Sequence, residues 1–235
     1  WFAPLFVAAV ILAVSTPGRA QENSQPVSGS ASSPDVSSIY ADIPQFGGPS
    51  SVGGQLAEDA VVVPEYRLQD LQDLFDPWYD FKERLNDDHG LPYKIDESIY
   101  YQRSSGIPAE KEAAGGLVRF YGQWDLCGRE SGNPGMVVFN VENRHRMGTT
   151  LTPFDLGFAA GSILPTGTFF SEFDVGVTNL YWKQYFFDRQ LAVAAGRIDV
   201  TDFIDVYAMI NPLTHFINLA FSTNPTIAVP NQGLG

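Results

Sequence analysis

The sequence is poor in the residues that build covalent and metal-based sites. It contains one cysteine, Cys127, in 235 residues, which excludes an intramolecular disulfide and a cysteine-rich metal site. Its three histidines, His89, His145 and His215, are far apart in sequence and lack the spacing of metal ligands. We therefore expect a protein that carries no metal and no cofactor.

Charged residues are scarce as well. They make up 17% of the chain, against about 25% in a typical soluble domain. The formal net charge of -13 repels phosphate backbones, which argues against nucleic acid as a partner. Hydrophobic residues reach 44% and aromatic residues 13%. That apolar content is enough for a core or for a membrane-facing surface.

A long apolar run is also missing. The longest candidate, residues 1–14, has 14 residues, whereas a membrane-spanning helix needs about 20. Pro17, Gly18 and the small residue Ala20 follow it, a pattern typical of a secretory signal peptide cleaved after Ala20. A buried core helix is the alternative. The basic start of such a signal is absent, so we interpret the chain as a fragment at both ends.

Two further segments precede the strands. Residues 21–65 are predicted to be a disordered linker, because residues 21–56 include 9 Ser, 4 Pro and 5 Gly. Residues 66–91 are predicted to contain one short helix that begins at Asp76 and Pro77. The helix is expected to end at Gly90.

Residues 92–235 show the two-residue period of β-strands. We predict five strands, near residues 93–102, 117–127, 136–145, 173–186 and 191–199. Each is close to the length of a tilted membrane-spanning strand, about 9–11 residues. The connections alternate between long and short, which is typical of an outer-membrane barrel. The predicted fold class is therefore all-β, an antiparallel outer-membrane β-barrel of which about five strands are present.

Several motifs resemble those of the carbohydrate-selective porin family of the OprB type. They read NLYWKQ at residues 179–184, FFDRQL at 186–191 and AGRIDV at 195–200, with NRH at 143–145 and FINLAF at 216–221. The helix before the first strand also matches this family. Lys183 departs from it, because the family often has an acidic residue there.

The resemblance implies a sixteen-stranded barrel in the bacterial outer membrane that passes sugars by passive diffusion. This chain would be its N-terminal part, exported through the signal peptide, with small sugars and outer-membrane lipid as its partners. The sugar and the oligomeric state stay open. A secreted β-sandwich that binds or cleaves sugars is the alternative, and a barrel for other small solutes is a weaker one.

The polar strand faces are the candidate sugar path. One face of each strand must meet lipid, where charges are costly, so the charged face should line water. Mixed acids, bases and amides offer hydrogen-bond donors and acceptors to neutral polyols. The residues assigned to this path are Arg119, Tyr121, Asp125, Glu142, Arg144, Asn179, Tyr181, Lys183 and Arg197.

Three features stay secondary. Arg197 alternates with Leu191 and Val193 toward lipid, unless a bulge at Gly196 turns it inward or it lies at the polar rim. The segment at residues 203–221 is predicted to fold into the lumen and narrow it. The acidic residues Asp87 and Asp88 beside His89 are more simply a solvated helix end. We therefore expect no catalytic residues and no enzyme.

Overall fold

The computed structural model describes residues 13–14, 47–61, 69–105, 110–204 and 210–222. Apart from the first of these ranges, the predicted signal peptide and residues 21–46 of the predicted linker lie outside the described residues. The helices are α1 (Val52–Val61), α2 (Gln69–His89), α3 (Pro153–Ala159) and α4 (Leu219–Ser222), with a 3-10 turn at Val200–Asp202. The strands are β1 (Ala13–Val14), β2 (Tyr93–Arg103), β3 (Glu112–Cys127), β4 (Gly135–Arg146), β5 (Phe173–Phe186) and β6 (Leu191–Arg197).

The five long strands form an antiparallel meander. Each of β2 to β6 pairs with the next in sequence, and the two-residue β1 adds to the free edge of β6. The prediction of an all-β, antiparallel chain is confirmed. Short turns at residues 128–134 and 187–190 join one end of the strands, and longer connections join the other. Within the described residues, no helix is long and apolar enough to cross a membrane.

The sheet exposes its apolar face. Large hydrophobic side chains alternate along the strands on this outer face: Ile95, Ile99, Tyr101, Phe120, Trp124, Leu126, Leu180, Trp182 and Phe186, all of which are exposed. Strand pairing aligns Trp124, Val137 and Trp182 in one row across β3, β4 and β5. Glu97 also lies on the outer face, opposite Val118. The opposite face of the same sheet is buried.

Two irregularities in β5 explain why its alternation is hard to follow in the sequence. Asn140 of β4 pairs with Asn179, but Val141 pairs with Val177, so Thr178 is an extra residue. A second register shift lies between Glu142 and Arg144. Such bulges change which residues of a strand point to a given face. The side chains of β5 therefore do not alternate strictly between the two faces of the sheet, because the pairing with β4 shifts at two places.

Two predictions about the N-terminal segments require correction. Helix α1 lies inside the segment predicted to be a disordered linker, because Val52 is buried against the sheet and stabilises the helix. Helix α2 begins at Gln69 rather than Asp76, so Pro77 lies inside it. Its end is as predicted, since Gly90 follows with a φ of 64°. At the last residue of α2, the His89 carbonyl accepts a hydrogen bond from the Trp124 indole N–H at 3.2 Å.

Strand β6 approaches β5 closely at Gly196, which leads to a first prediction. Gly196 has a φ of 142°, and a Cβ there would lie 2.5 Å from the Leu180 carbonyl oxygen and 2.6 Å from the Tyr181 Cα. Gly196→Ala should therefore break the β5–β6 pairing and lower the unfolding temperature of the protein in detergent.

The matched control is Gly148→Ala. Gly148 also has a positive φ, 71°, but nothing lies within 4 Å of the position that an added methyl group would take. This substitution should cost only the left-handed backbone penalty, about 1–2 kcal/mol. Equal losses of stability in the two variants would show that the close approach at Gly196 is unimportant.

Candidate functional site

The candidate site is the inner face of the sheet, opposite the apolar outer face. It is lined mainly by Lys94, Asp96, Arg119, Tyr121, Asn140, Glu142, Arg144, Asn179, Tyr181 and Lys183. Arg119, Arg144 and Lys183 are each 7% exposed or less. Charged side chains are thus buried here while aromatic ones are exposed on the other side. This is the reverse of a water-soluble sheet.

An acid, a base and an acid lie side by side across three strands. The pairing register places Asp96 opposite Arg119 and Arg119 opposite Glu142. The Arg119 guanidinium donates twice to the Asp96 carboxylate, with Nε to Oδ1 at 2.9 Å. Its Cζ also lies 4.8 Å from the centre of the Tyr121 ring. A bidentate pair of this kind fixes the orientation of the arginine plane.

Glu142 organises a second cluster. Its carboxylate accepts from Asn140 Nδ2 at 2.8 Å and from Arg144 Nη2 at 2.6 Å. The Arg144 guanidinium lies over the Phe169 ring, 5.2 Å from its centre. Asn140 Oδ1 is buried and, within the described part of the chain, has no hydrogen-bond partner. Glu142 therefore fixes both the Asn140 amide and the Arg144 guanidinium on the inner face.

Asn179 ties the inner face to the chain that follows β6. Its Oδ1 accepts from the Asp199 backbone N–H at 2.7 Å, and its Nδ2 donates to Asp202 Oδ2 at 3.2 Å. Phe203 packs on Tyr181, with ring centres 6.1 Å apart. Asp199, Asp202 and Phe203 thus lie against the inner face, whereas the folding of residues 203–221 into a lumen stays a prediction. Tyr207 lies outside the described residues.

The long connection between β4 and β5 also turns inward. Thr152 caps α3 by accepting from the Asp155 N–H at 3.1 Å. Phe170 of this connection packs on Tyr100, with ring centres 5.3 Å apart. Gln102 of β2 donates to the Pro153 carbonyl. This connection therefore covers the long-loop end of the inner face.

The half of the inner face nearest the short turns is more apolar. Val52 of α1 packs in a cluster with Tyr121, Tyr181 and Tyr185, joined by Met136, Val138, Ala192 and Ala194. Lys183 lies in this half, with its Nζ 5.5 Å from the centre of the Tyr185 ring. Asp125 is two strands away in the same row, since Met136 pairs with both residues.

Eight of the nine residues assigned from the sequence lie on the inner face. Arg197 differs, because it pairs with Leu180 at the end of β6 and is exposed. The β5–β6 register runs without a shift through Gly196, so the proposed bulge is absent from this pairing. Arg197 therefore follows the outer face at the end of β6, in the row of Leu180 and Phe139.

The sequence-based set omitted several residues that complete the site. Asp96 is the partner of Arg119, and its place in the alternation of β2 was the signal that could have identified it. Gln55 and Asp59 reach the inner face from α1, which was expected to be disordered. Asp202 lies beyond the last strand, where the two-residue period no longer indicates which side chains point to the inner face.

A comparison with models of known protein families finds a match for part of this chain. Residues 128–234 match the model of the carbohydrate-selective porin, OprB family. The match starts at the turn before β4 and includes β4, β5 and β6. It confirms the OprB resemblance seen in the sequence motifs, all of which lie within these residues. Comparisons with curated proteins and with solved structures gave no match.

The OprB match and the geometry point to the same part of the molecule. The matched strands carry Glu142, Arg144, Asn179 and Lys183 on their buried inner face. A porin family needs a polar inner face and an apolar outer face on the same strands. The arrangement of β4 and β5 meets this requirement.

A pH prediction follows from Asp202, which lies in the turn after β6. Burial raises the pKa of its carboxyl group well above the ordinary value, and the neighbouring Asp199 carboxylate raises it further. A group with a raised folded-state pKa stabilises the fold below its unfolded-state pKa and loses that contribution as pH rises through the folded-state value. Asp202→Asn should therefore stabilise the protein more at pH 8 than at pH 4, as measured by the unfolding temperature in detergent. An equal shift at both pH values would contradict the raised pKa.

Proposed function

We propose that this protein is part of an outer-membrane porin through which neutral sugars diffuse along the inner face of the sheet. The observation that carries the proposal is the inverted sheet, with buried ion pairs on one face and exposed aromatic residues on the other. The OprB match over residues 128–234 supports the same function. The protein itself performs no chemistry on the sugar, because diffusion requires only weak contacts.

The dimensions of the outer face support contact with lipid. The row of Trp124 and Trp182 marks one rim, and Tyr101, which pairs with Ala114, marks the other. Trp124 lies ten positions after Ala114 in β3. At about 3.4 Å per residue and a tilt of about 40°, these positions span about 26 Å along the membrane normal. The apolar band of an outer-membrane barrel is about 25 Å tall.

The inner face supports passage of neutral polyols. Its cations are balanced by neighbouring acids, as in the Arg119–Asp96 and Arg144–Glu142 pairs. A balanced set of charges avoids a single-sign field that would favour ions over sugars. Among the groups of the inner face, carboxylates accept hydrogen bonds from sugar hydroxyl groups, whereas guanidinium groups donate to them. Weak contacts of this kind allow a sugar to enter and to leave.

The alternative of a soluble sugar-binding sandwich requires a second sheet over the apolar face. In the part of the chain that the structure describes, all strands belong to one sheet. The outer residue Leu180 is 50% exposed. The two functions therefore differ in what touches Leu180, which is lipid in a porin and protein or water in a sandwich.

Leu180→Arg tests this difference. In a porin the substitution places a charge in lipid two residues inside the rim marked by Trp182, where it costs less than the about 2–4 kcal/mol of the membrane midplane. Leu180→Phe is the matched control, because it enlarges the side chain without adding charge. We expect the arginine variant to lose folded, heat-modifiable protein from outer-membrane fractions, and the phenylalanine variant to keep it. Normal assembly of both variants would favour the soluble sandwich.

Glu142→Gln tests the inner face. The substitution keeps the shape of the side chain but removes the negative charge that balances Arg144. Planar-bilayer recordings of the assembled fraction should show a reversal potential shifted toward anion selectivity, whereas the uncompensated Arg144 should lower the unfolding temperature of the variant. Outer Val175→Gln, at a highly exposed position of the same sheet, should leave the selectivity as it is. An unchanged reversal potential for Glu142→Gln would show that the Glu142 carboxylate does not line the solute path.

A further inference from the structure

Residues 47–61, which we name the strap, consist of a turn followed by helix α1. The strap lies on the inner face and covers its short-turn half. Val52, at 2% exposure, anchors it in the apolar cluster of Tyr121 and Tyr181. Its own turn is closed by Ser51, whose side-chain hydroxyl donates to the Gly48 carbonyl at 2.7 Å.

The strap runs across the sheet rather than along one strand. At one end, the Gly48 N–H donates to the Asp202 carbonyl at 2.7 Å, beside β5 and β6. At the other end, Asp59 Oδ1 accepts from Lys94 Nζ of β2 at 2.5 Å. Any solute that follows the inner face along the strands must therefore pass the strap.

Two polar residues of the strap bind cations of the inner face. Gln55 Oε1 accepts from Arg119 Nη1 at 2.6 Å, which completes the set of bonds that the guanidinium makes with Asp96. Asp59 pairs with Lys94, and the two side chains are 32% and 30% exposed. Partial exposure leaves this second pair accessible to a passing solute. Asp59 of the strap thus neutralises the charge of Lys94, and Gln55 orients the Arg119 guanidinium.

Glycines allow the strap to lie close to the sheet. A Cβ at Gly53 would already lie 3.8 Å from Lys183 Nζ and 3.7 Å from Gln123 Oε1. A larger side chain there would occupy the space between the helix and the sheet. At Gly54, a Cβ would lie 2.4 Å from the Gly48 carbonyl oxygen, so only glycine fits against the preceding turn. The glycine content of this segment therefore serves packing.

We propose that the strap is the constriction element on the short-turn side of the path, and that Gln55 and Asp59 are specificity-determining residues for neutral solutes. This inference rests on the proposed porin function. The strap limits the cross-section by its bulk. Asp59 cancels the charge of Lys94, so its loss leaves a cation facing the solute path.

The test uses Asp59→Ala with Glu58→Ala as the matched control. Both substitutions remove one acid from the same helix, but Glu58 is exposed whereas Asp59 binds Lys94. In planar bilayers the Asp59 variant should shift the reversal potential toward anions and raise the single-channel conductance, and the Glu58 variant should change neither. The double variant Gln55→Ala, Asp59→Ala releases both contacts and should raise the conductance severalfold.

Assembly and function are separated by two further measurements. Asp59→Asn keeps the side-chain shape and an acceptor oxygen, so it reports the charge effect if the alanine variant does not assemble. The unsubstituted full-length porin, of which this chain is a part, serves as the test of the porin function, because a full-length protein without conductance would overturn that function itself. A conducting protein whose Asp59 and Glu58 variants behave alike would overturn the strap alone.

Discussion

The structure depends on one constraint, the burial of charge on the inner face of a sheet whose other face is apolar and exposed. A buried charge is tolerated only when it is paired and hydrogen-bonded. Asp96, Arg119, Glu142 and Arg144 meet this requirement through the bonds they make with one another and with Asn140. Removing one member would leave its partner uncompensated, so Asp96 with Arg119 and Glu142 with Arg144 each act as a unit.

The segments that are not strands complete this arrangement. The strap, the β4–β5 connection and the turn after β6 all lie on the inner face, and each supplies contacts to a different part of it. Asp202 lies in the turn after β6 and links this turn to two neighbours. Its carbonyl accepts from the Gly48 N–H of the strap, and its carboxylate accepts from Asn179 Nδ2 of β5. The inner face is therefore shaped by inserted chain segments as well as by the strands.

The strand alternation in the sequence was sufficient to assign most of the inner face. Arg119 and Tyr121 on β3, and Glu142 and Arg144 on β4, follow a strict period of two and lie where the pattern predicts. Asp96 has the same signal, but its pairing with Arg119 depends on the register between β2 and β3. The bulge at Thr178 also depends on pairing with a neighbouring strand, which single-strand periodicity does not report.

The strap could not be predicted from composition. Its glycines and serines are typical of a linker, but Val52 is buried by residues more than sixty positions away in sequence. Helix α2 was predicted from its apolar spacing, although the interpretation of Pro77 as a first-turn residue placed the start of the helix too late. Tertiary contacts override local propensity in the strap.

Fluorescence quenching of Trp124 and Trp182 tests the central claim most directly, because both indoles lie in one row of the outer face. Variants in which Trp124 or Trp182 is the single tryptophan, with Trp1 and Trp78 replaced by Phe, would be reconstituted into vesicles containing lipids with brominated acyl chains. The account predicts strong quenching by the brominated lipid and weak quenching by aqueous iodide. Strong quenching by iodide with no effect of the lipid would show that the apolar face does not meet the membrane.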